Sequence, residues 1–182
     1  MKYLIVLFIS VLILSCGSDS IPKPKSYLKL QYPQNTYQKL NSDCPYTFEL
    51  SEHATISMAE NCWAKIEYPT LKATIHITYR PINNNLKEIL KEVEKLTFEH
   101  TIKADVINSV PYEDFQKKVY GKLYNVEGNV ATNLQFRATD STKHVLSGAL
   151  YFYVKPNYDS ILPAIKYVEK DIMHLVETLE WK

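Results

Sequence analysis

Ala73-Thr74-Ile75-His76-Ile77-Thr78-Tyr79-Arg80 alternates apolar and polar side chains until Pro81 ends the run. Successive strand residues point to opposite faces of a sheet. Ala73, Ile75, Ile77 and Tyr79 should therefore line an apolar face, and Thr74, His76, Thr78 and Arg80 a wet or functional one. Beyond the proline the period changes. Asn83-Asn84-Asn85 offers N-cap residues, and Glu88 stands at capping-box spacing from Asn85. Leu86, Ile89, Leu90, Val93, Leu96 and His100 then recur at helical spacing, so a helix is expected to about Lys103.

On the upstream side, Tyr46 to Arg80 reads as short strands. Phe48, Ile56, Trp63 and Ile66 join the residues expected to be buried, and breaks fall at Ser51-Glu52, Glu60-Asn61 and Pro69-Thr70. Downstream, three strands are expected at about Gln116 to Val126, Val130 to Thr139 and Lys143 to Val154, joined by hairpins at Glu127-Gly128-Asn129 and Asp140-Ser141-Thr142. The last is apolar on both faces and should be central. Pro156-Asn157-Tyr158-Asp159-Ser160 delivers an N-cap, with Pro163 in the first turn of a helix whose stripe is Ile165, Val168, Ile172, Leu175, Val176 and Leu179. Strands punctuated by single helices give an α+β domain, an antiparallel sheet with a long mid-chain helix and a C-terminal helix. The order resembles the PsbP/Mog1-like fold, a likeness of topology that carries no chemistry.

Of 182 residues, 46% are hydrophobic, 12% aromatic and 23% charged, which fits one globular domain. A body of this length buries roughly 70% of its unfolded surface and needs no metal to hold its core. Four glycines beside nine prolines leave no Gly-rich phosphate loop. With 21 basic and 20 acidic residues, and no long run of like charge, the chain lacks the electrostatic footprint of a nucleic-acid binder.

Lys2, an apolar run from Tyr3 to Leu14 broken by Ser10, and then Ser15-Cys16 have the outline of a secretory signal peptide. Twelve helical residues cover about 18 Å, short of a roughly 30 Å hydrocarbon core, so removal is expected rather than spanning. Ile13-Leu14-Ser15-Cys16 resembles the lipobox of bacterial lipoproteins, where the cysteine thiol is lipidated and its new amino group acylated. Residues 1–15 thus read as signal peptide, 16–26 as lipid attachment, with palmitate-like chains on Cys16, and tether, and 27–182 as a single α+β domain. Several acyl chains suffice for stable anchoring at a membrane the protein does not cross. An acidic run after the cysteine resembles the surface-display signal of Bacteroidetes-type lipoproteins. Here only Asp19 is acidic. A periplasm-facing protein is expected, with the outer membrane preferred over the inner.

Cys44 and Cys62 remain, in a compartment where disulfides form. Closing that loop is worth about 3 kcal/mol. A redox or zinc pair would need CxxC spacing or histidines at ligand spacing, and the sequence has neither. The five histidines, His53, His76, His100, His144 and His174, show no HxH or HExxH pattern, so no metal and no cofactor is expected. Asp140-Ser141 beside His144 suggests part of a hydrolase triad, but Asp, Ser and Thr suit a hairpin turn for backbone reasons alone, and the turn is preferred. Among fourteen tyrosines, Tyr27, Tyr32 and Tyr37 recur every five residues and Tyr151, Tyr153 and Tyr158 cluster. The first group is expected to pack an extended arm onto the domain and the second to join the core. A protein-binding surface is the alternative.

Pro22-Lys23-Pro24-Lys25-Ser26-Tyr27-Leu28, Cys44-Pro45-Tyr46, Cys62-Trp63, Ile66-Glu67-Tyr68-Pro69, Leu96-Thr97-Phe98-Glu99-His100, Thr139-Asp140-Ser141-Thr142-Lys143-His144 and the ending Glu177-Thr178-Leu179-Glu180-Trp181-Lys182 together resemble the gliding motility lipoprotein GldD family of the Bacteroidetes. The resemblance implies a lipid-anchored accessory or assembly protein of the gliding and type IX secretion machinery, without catalytic residues. Its expected partners are other envelope proteins, met through a patch of His100, Lys103, Asn157 and Tyr158. An envelope hydrolase acting on peptidoglycan through His76 or the Asp140/Ser141/His144 group, and a small-ligand carrier with a deep apolar cavity, are the alternatives.

Overall fold

The computed structural model of the chain describes residues 31–99, 104–155 and 157–182. Its strands are β1 (Tyr37–Lys39), β2 (Tyr46–Thr47), β3 (Glu49–Ser51), β4 (Thr55–Met58), β5 (Ala64–Tyr68), β6 (Ala73–Pro81), β7 (Val106–Asp114), β8 (Val119–Glu127), β9 (Thr132–Thr139), β10 (His144–Phe152) and β11 (Glu180–Trp181). Helix α1 (Leu86–Glu99) follows β6, and α2 (Tyr158–Glu177) follows β10. Seven strands form one antiparallel sheet in the order β4-β5-β6-β10-β9-β8-β7. This is an α+β fold with a large antiparallel sheet, a mid-chain helix and a C-terminal helix.

The alternation of β6 sets the two layers. Ile75 and Ile77 face Leu150 and Gly148 across β10 and Ile66 and Ala64 across β5. On that face α2 lays Ile165, Val168, Ile172 and Leu175, all buried. Helix α1 lies over the opposite face, where Thr78 pairs with Ser147 and His76 with Ala149. Beneath such a polar floor an apolar helix stripe finds few partners. Ile89 is buried, but Leu96 is 47% exposed although it belongs to the same periodic set. The expected helix end near Lys103 lies outside the described residues.

β10 occupies the centre of the sheet, as its two apolar faces imply, although it ends at Phe152 and leaves Tyr153 and Val154 exposed. Gly148 there has a specific packing reason. A Cβ on it would sit 2.2 Å from Cε1 of Phe136, directly across in β9. Gly148→Ala should therefore cost about 1–3 kcal/mol in urea unfolding, and adding Phe136→Leu should recover part of that loss.

The structure corrects the sequence reading elsewhere too: Tyr153, expected in the core with Tyr151 and Tyr158, is 65% exposed. Val106–Asp114 is a full edge strand, which Pro111 disguised, because a proline without an N–H fits only at an edge. The hairpin to β8 is turned by Asp114, whose Oδ1 accepts the N–H groups of Gln116 and Lys117 at 2.9 Å each. Trp63, expected inside, is 46% exposed because it falls on the face opposite Ala64 and Ile66. Pro163 stands inside α2 rather than in its first turn, since the helix already begins at Tyr158 with Asn157 as N-cap. Asn85 does not cap α1 with its side chain as a box would. Its Oδ1 instead accepts the N–H of Asn83 at 2.8 Å.

Residues 31–51 close the apolar side alongside α2. β1 pairs with β3, and β2 pairs with β11 at the end of the chain. Cys44 and Cys62 form a disulfide with Cα atoms 5.6 Å apart, joining this segment to the β4–β5 turn.

Candidate functional site

The Asp140–His144 group sits in the β9–β10 hairpin. Asp140 Oδ1 accepts the backbone N–H groups of Thr142 (3.0 Å), Lys143 (2.8 Å) and His144 (2.8 Å), while Oδ2 accepts the Thr142 hydroxyl at 2.7 Å. Ser141 takes the left-handed conformation the turn needs, φ 65°. The His144 ring bonds to Tyr79 and not to the carboxylate. Its Nδ1 meets the Tyr79 hydroxyl at 2.8 Å, and the ring stacks on Trp181 with centroids 5.3 Å apart. A triad needs the acid to orient the imidazole and the imidazole to reach a hydroxyl nucleophile. Here the acid holds a turn and the imidazole holds the C-terminus.

Both groups titrate accordingly. Burial lowers the His144 pKa, and the Asp140 charge offsets this only in part. Burial also opposes the Asp140 charge, but the N–H groups of Lys143, His144 and Thr142 outweigh it and hold the carboxyl down at about 2. Each folded pKa lies below its unfolded value, so each stabilising contribution is lost as pH falls. Stability should drop as pH passes below the ordinary imidazole value of 6.5, and again from 3.8 towards about 2. Urea midpoints measured against pH should show the first step reduced in His144→Phe. An unchanged step in that variant would assign the proton uptake to another group.

The remaining histidines are dispersed. His53 bonds the Gln34 carbonyl at 3.0 Å, and His174 pairs with Glu49 at 2.7 Å beneath the stacked ring of Tyr37. His100 lies outside the described residues. His76 faces a cleft of about 270 Å³ between α1 and the sheet, and a neighbouring hollow of about 390 Å³ beside Trp63 shares His76 and Thr78 with it. Among the described residues no group of three or more His, Cys, Asp or Glu is placed to hold a metal ion.

A second polar centre joins the N-terminal arm to α2. Asp171 is 3% exposed and accepts Nδ2 of Asn35 at 2.6 Å and the hydroxyl of Tyr68 at 2.9 Å. Tyr32 stacks on Tyr167 at 4.8 Å, so two of the three regularly spaced tyrosines do pack the arm onto the domain. Tyr27 lies outside the described residues. Burial, then the Asp171 charge, pushes the Tyr37 phenol up to about 12 and the Tyr68 phenol higher still, so both remain protonated donors. No sequence motif marked Asp171. The available signal was an acidic residue three positions after Val168 and four before Leu175, on the apolar stripe itself.

Of the patch candidates, Asn157 is exposed and makes no side-chain cap bond, and the Tyr158 N–H donates to Asn129 Oδ1 at 2.8 Å. The Tyr158 ring packs against the core. Lys103, like His100, lies outside the described residues, as does Cys16. Among the described residues no helix is long and apolar enough to cross a membrane. Residues 17–181 match the family model of the gliding motility lipoprotein GldD. The chain belongs to this family. No curated protein matches it. The GldD family is linked to gliding motility and type IX secretion in the Bacteroidetes, and its members are lipoproteins with a non-enzymatic accessory role. Membership carries attachment to a membrane of the cell envelope and association with the gliding and secretion machinery. In a GldD protein the turn-bound Asp140 and His144 are framework.

Proposed function

We propose that the chain is an assembly factor held through an acylated Cys16 to the outer membrane, facing the periplasm, with residues 1–15 removed, 16–26 as tether and 27–182 as one domain of PsbP/Mog1-like topology. It meets envelope neighbours through the patch of His100, Lys103, Asn157 and Tyr158, of which Asn157 and Tyr158 stand at the start of α2. The observation that carries this reading is the loop ahead of the helix. Tyr153 is 65% and Val154 41% exposed there, next to the exposed Asn157. Aromatic and apolar side chains beside an amide are the composition of protein interfaces, and a tyrosine gives large contact area for little lost rotamer freedom. The lipid raises local concentration, so weak contacts are sufficient.

Tyr153→Ala with Asn157→Ala is the test, since Tyr158 also packs on the core. Recovery of envelope proteins crosslinked to the chain in intact cells should fall while the thermal midpoint holds. Unchanged recovery removes the patch. A clickable fatty acid should label the wild-type chain and not Cys16→Ser. An unlabelled wild type removes the anchor.

A further inference from the structure

We propose that the trough on the α1 side of the sheet binds a saccharide chain. Its register builds a hollow floor between aromatic ends. Thr78 lies opposite Ser147, and Ala149 lies between His76 and Gln135, so the middle of the trough carries small side chains. Trp63, next to Lys65 in β5, stands at one end, and Tyr151 at the other. The two hollows, about 270 and 390 Å³, meet at His76 and Thr78 and together fall in the range of small-molecule sites.

Each end is fixed. Trp63 donates its Nε1–H to the Tyr79 carbonyl at 3.0 Å, which pins the indole and leaves a flat apolar face open, 46% exposed. The Tyr151 ring meets His76 edge-on with centroids 5.4 Å apart. The floor has unused hydrogen-bonding capacity. Gln135 is 7% exposed, and its buried Nε2 donates to nothing. A buried donor without an acceptor is costly, and an entering oxygen would satisfy it. The Tyr153 hydroxyl stands 3.5 Å from His76 Nε2, too long to saturate that nitrogen.

Charge identifies the ligand class. Arg80 is engaged with Glu92 at 2.6 Å, and Lys65 shares the His76 surroundings with Glu67. Burial, then Lys65, lowers the His76 pKa, which favours the neutral ring with one donor and one acceptor. A balanced trough gives an anion no advantage. A peptide strand would seek a sheet edge, whereas the trough lies on a face whose backbone is already paired between β5, β6, β10 and β9. Hydroxyls for the floor, apolar C–H faces for the aromatic ends and no net charge describe a neutral glycan. The glycan of the cell wall and the polysaccharide of the outer membrane share this chemistry.

Calorimetric titration of the full acylated chain, in a detergent without a sugar headgroup, tests the proposal with chitotetraose and maltotetraose. Saturable binding of at least one is expected. It should weaken roughly tenfold or more in Trp63→Ala, which removes the stacking face, and in Ser147→Leu, which fills the floor. Far-UV circular dichroism and the thermal midpoint should show both variants folded, since Trp63 is an exposed side chain and Ser147 lines an open hollow. Preference for chitotetraose assigns the amino-sugar wall glycan, and preference for maltotetraose a hexose polysaccharide. Absence of heat from both sugars overturns the proposal, as does binding that both folded variants leave unchanged or binding of a Val/Thr-rich pentapeptide in place of sugar.

Discussion

Replacing both Cys44 and Cys62 with alanine should lower the thermal midpoint by about 6–12 °C. The disulfide closes a separation of 18 residues, and the corresponding loop entropy is about 3 kcal/mol. In a chain of this size each kcal/mol moves the midpoint by about 2–4 °C. The bond also fastens other contacts. Tyr46, fully buried, donates its hydroxyl to the Cys62 carbonyl at 2.8 Å, and the Pro45 carbonyl accepts the Lys182 N–H at 3.0 Å. Loss of the crosslink should therefore loosen the β2–β11 ladder as well. Reductant added to the wild type should reproduce the shift without changing the variant. A wild-type midpoint indifferent to reductant would show that the crosslink contributes nothing to stability.

Asp171→Leu should have an effect of similar size by a different route. The substitution leaves the Tyr68 hydroxyl buried without its acceptor and frees the Asn35 amide. Hydrogen bonds to a charged group contribute about 1.5–3 kcal/mol each, and an orphaned buried donor costs more than a deleted pair. A loss of about 3 kcal/mol or more is expected. Asp171→Asn keeps one acceptor and should fall between. The two variants differ from the cysteine pair in where the protein opens. Limited proteolysis of Asp171→Leu should cut first within residues 31–39, whereas Tyr68→Phe combined with Asp171→Leu should be less destabilised than the sum of the two. Unchanged protease sensitivity of the arm would separate Asp171 from its retention.

Periodic segments were legible because their information is local. The alternation of β6, the double apolar character of β10 and the α2 stripe each specify a face within about ten residues. Elements that depend on neighbours were not. β7 exposes Val106 and Val110 along an unpaired edge, so hydrophobic identity and Pro111 gave contradictory signals. Trp63 counts among the hydrophobic residues of a short-strand run, although its parity relative to Ala64 places it on the other face. The Asp140 turn could be read from composition because Asp, Ser and Thr serve the backbone within four residues. The Asp171 centre could not, since Asn35 is 136 positions away. The trough was half visible. His76 was placed on the wet face, but the hollow arises from Thr78, Ser147 and Ala149, which become neighbours only through strand pairing.

The two ends of the described chain are clasped together. Trp181 pairs with Tyr46, Lys39 bridges Glu180 at 3.0 Å, and the Lys182 ammonium reaches the Ser42 carbonyl. A polypeptide emerging amino-terminus first through a narrow pore would hold residues 37–51 without their seal until Glu180, Trp181 and Lys182 had passed. Closure of this early segment thereby waits on residues made more than a hundred positions later.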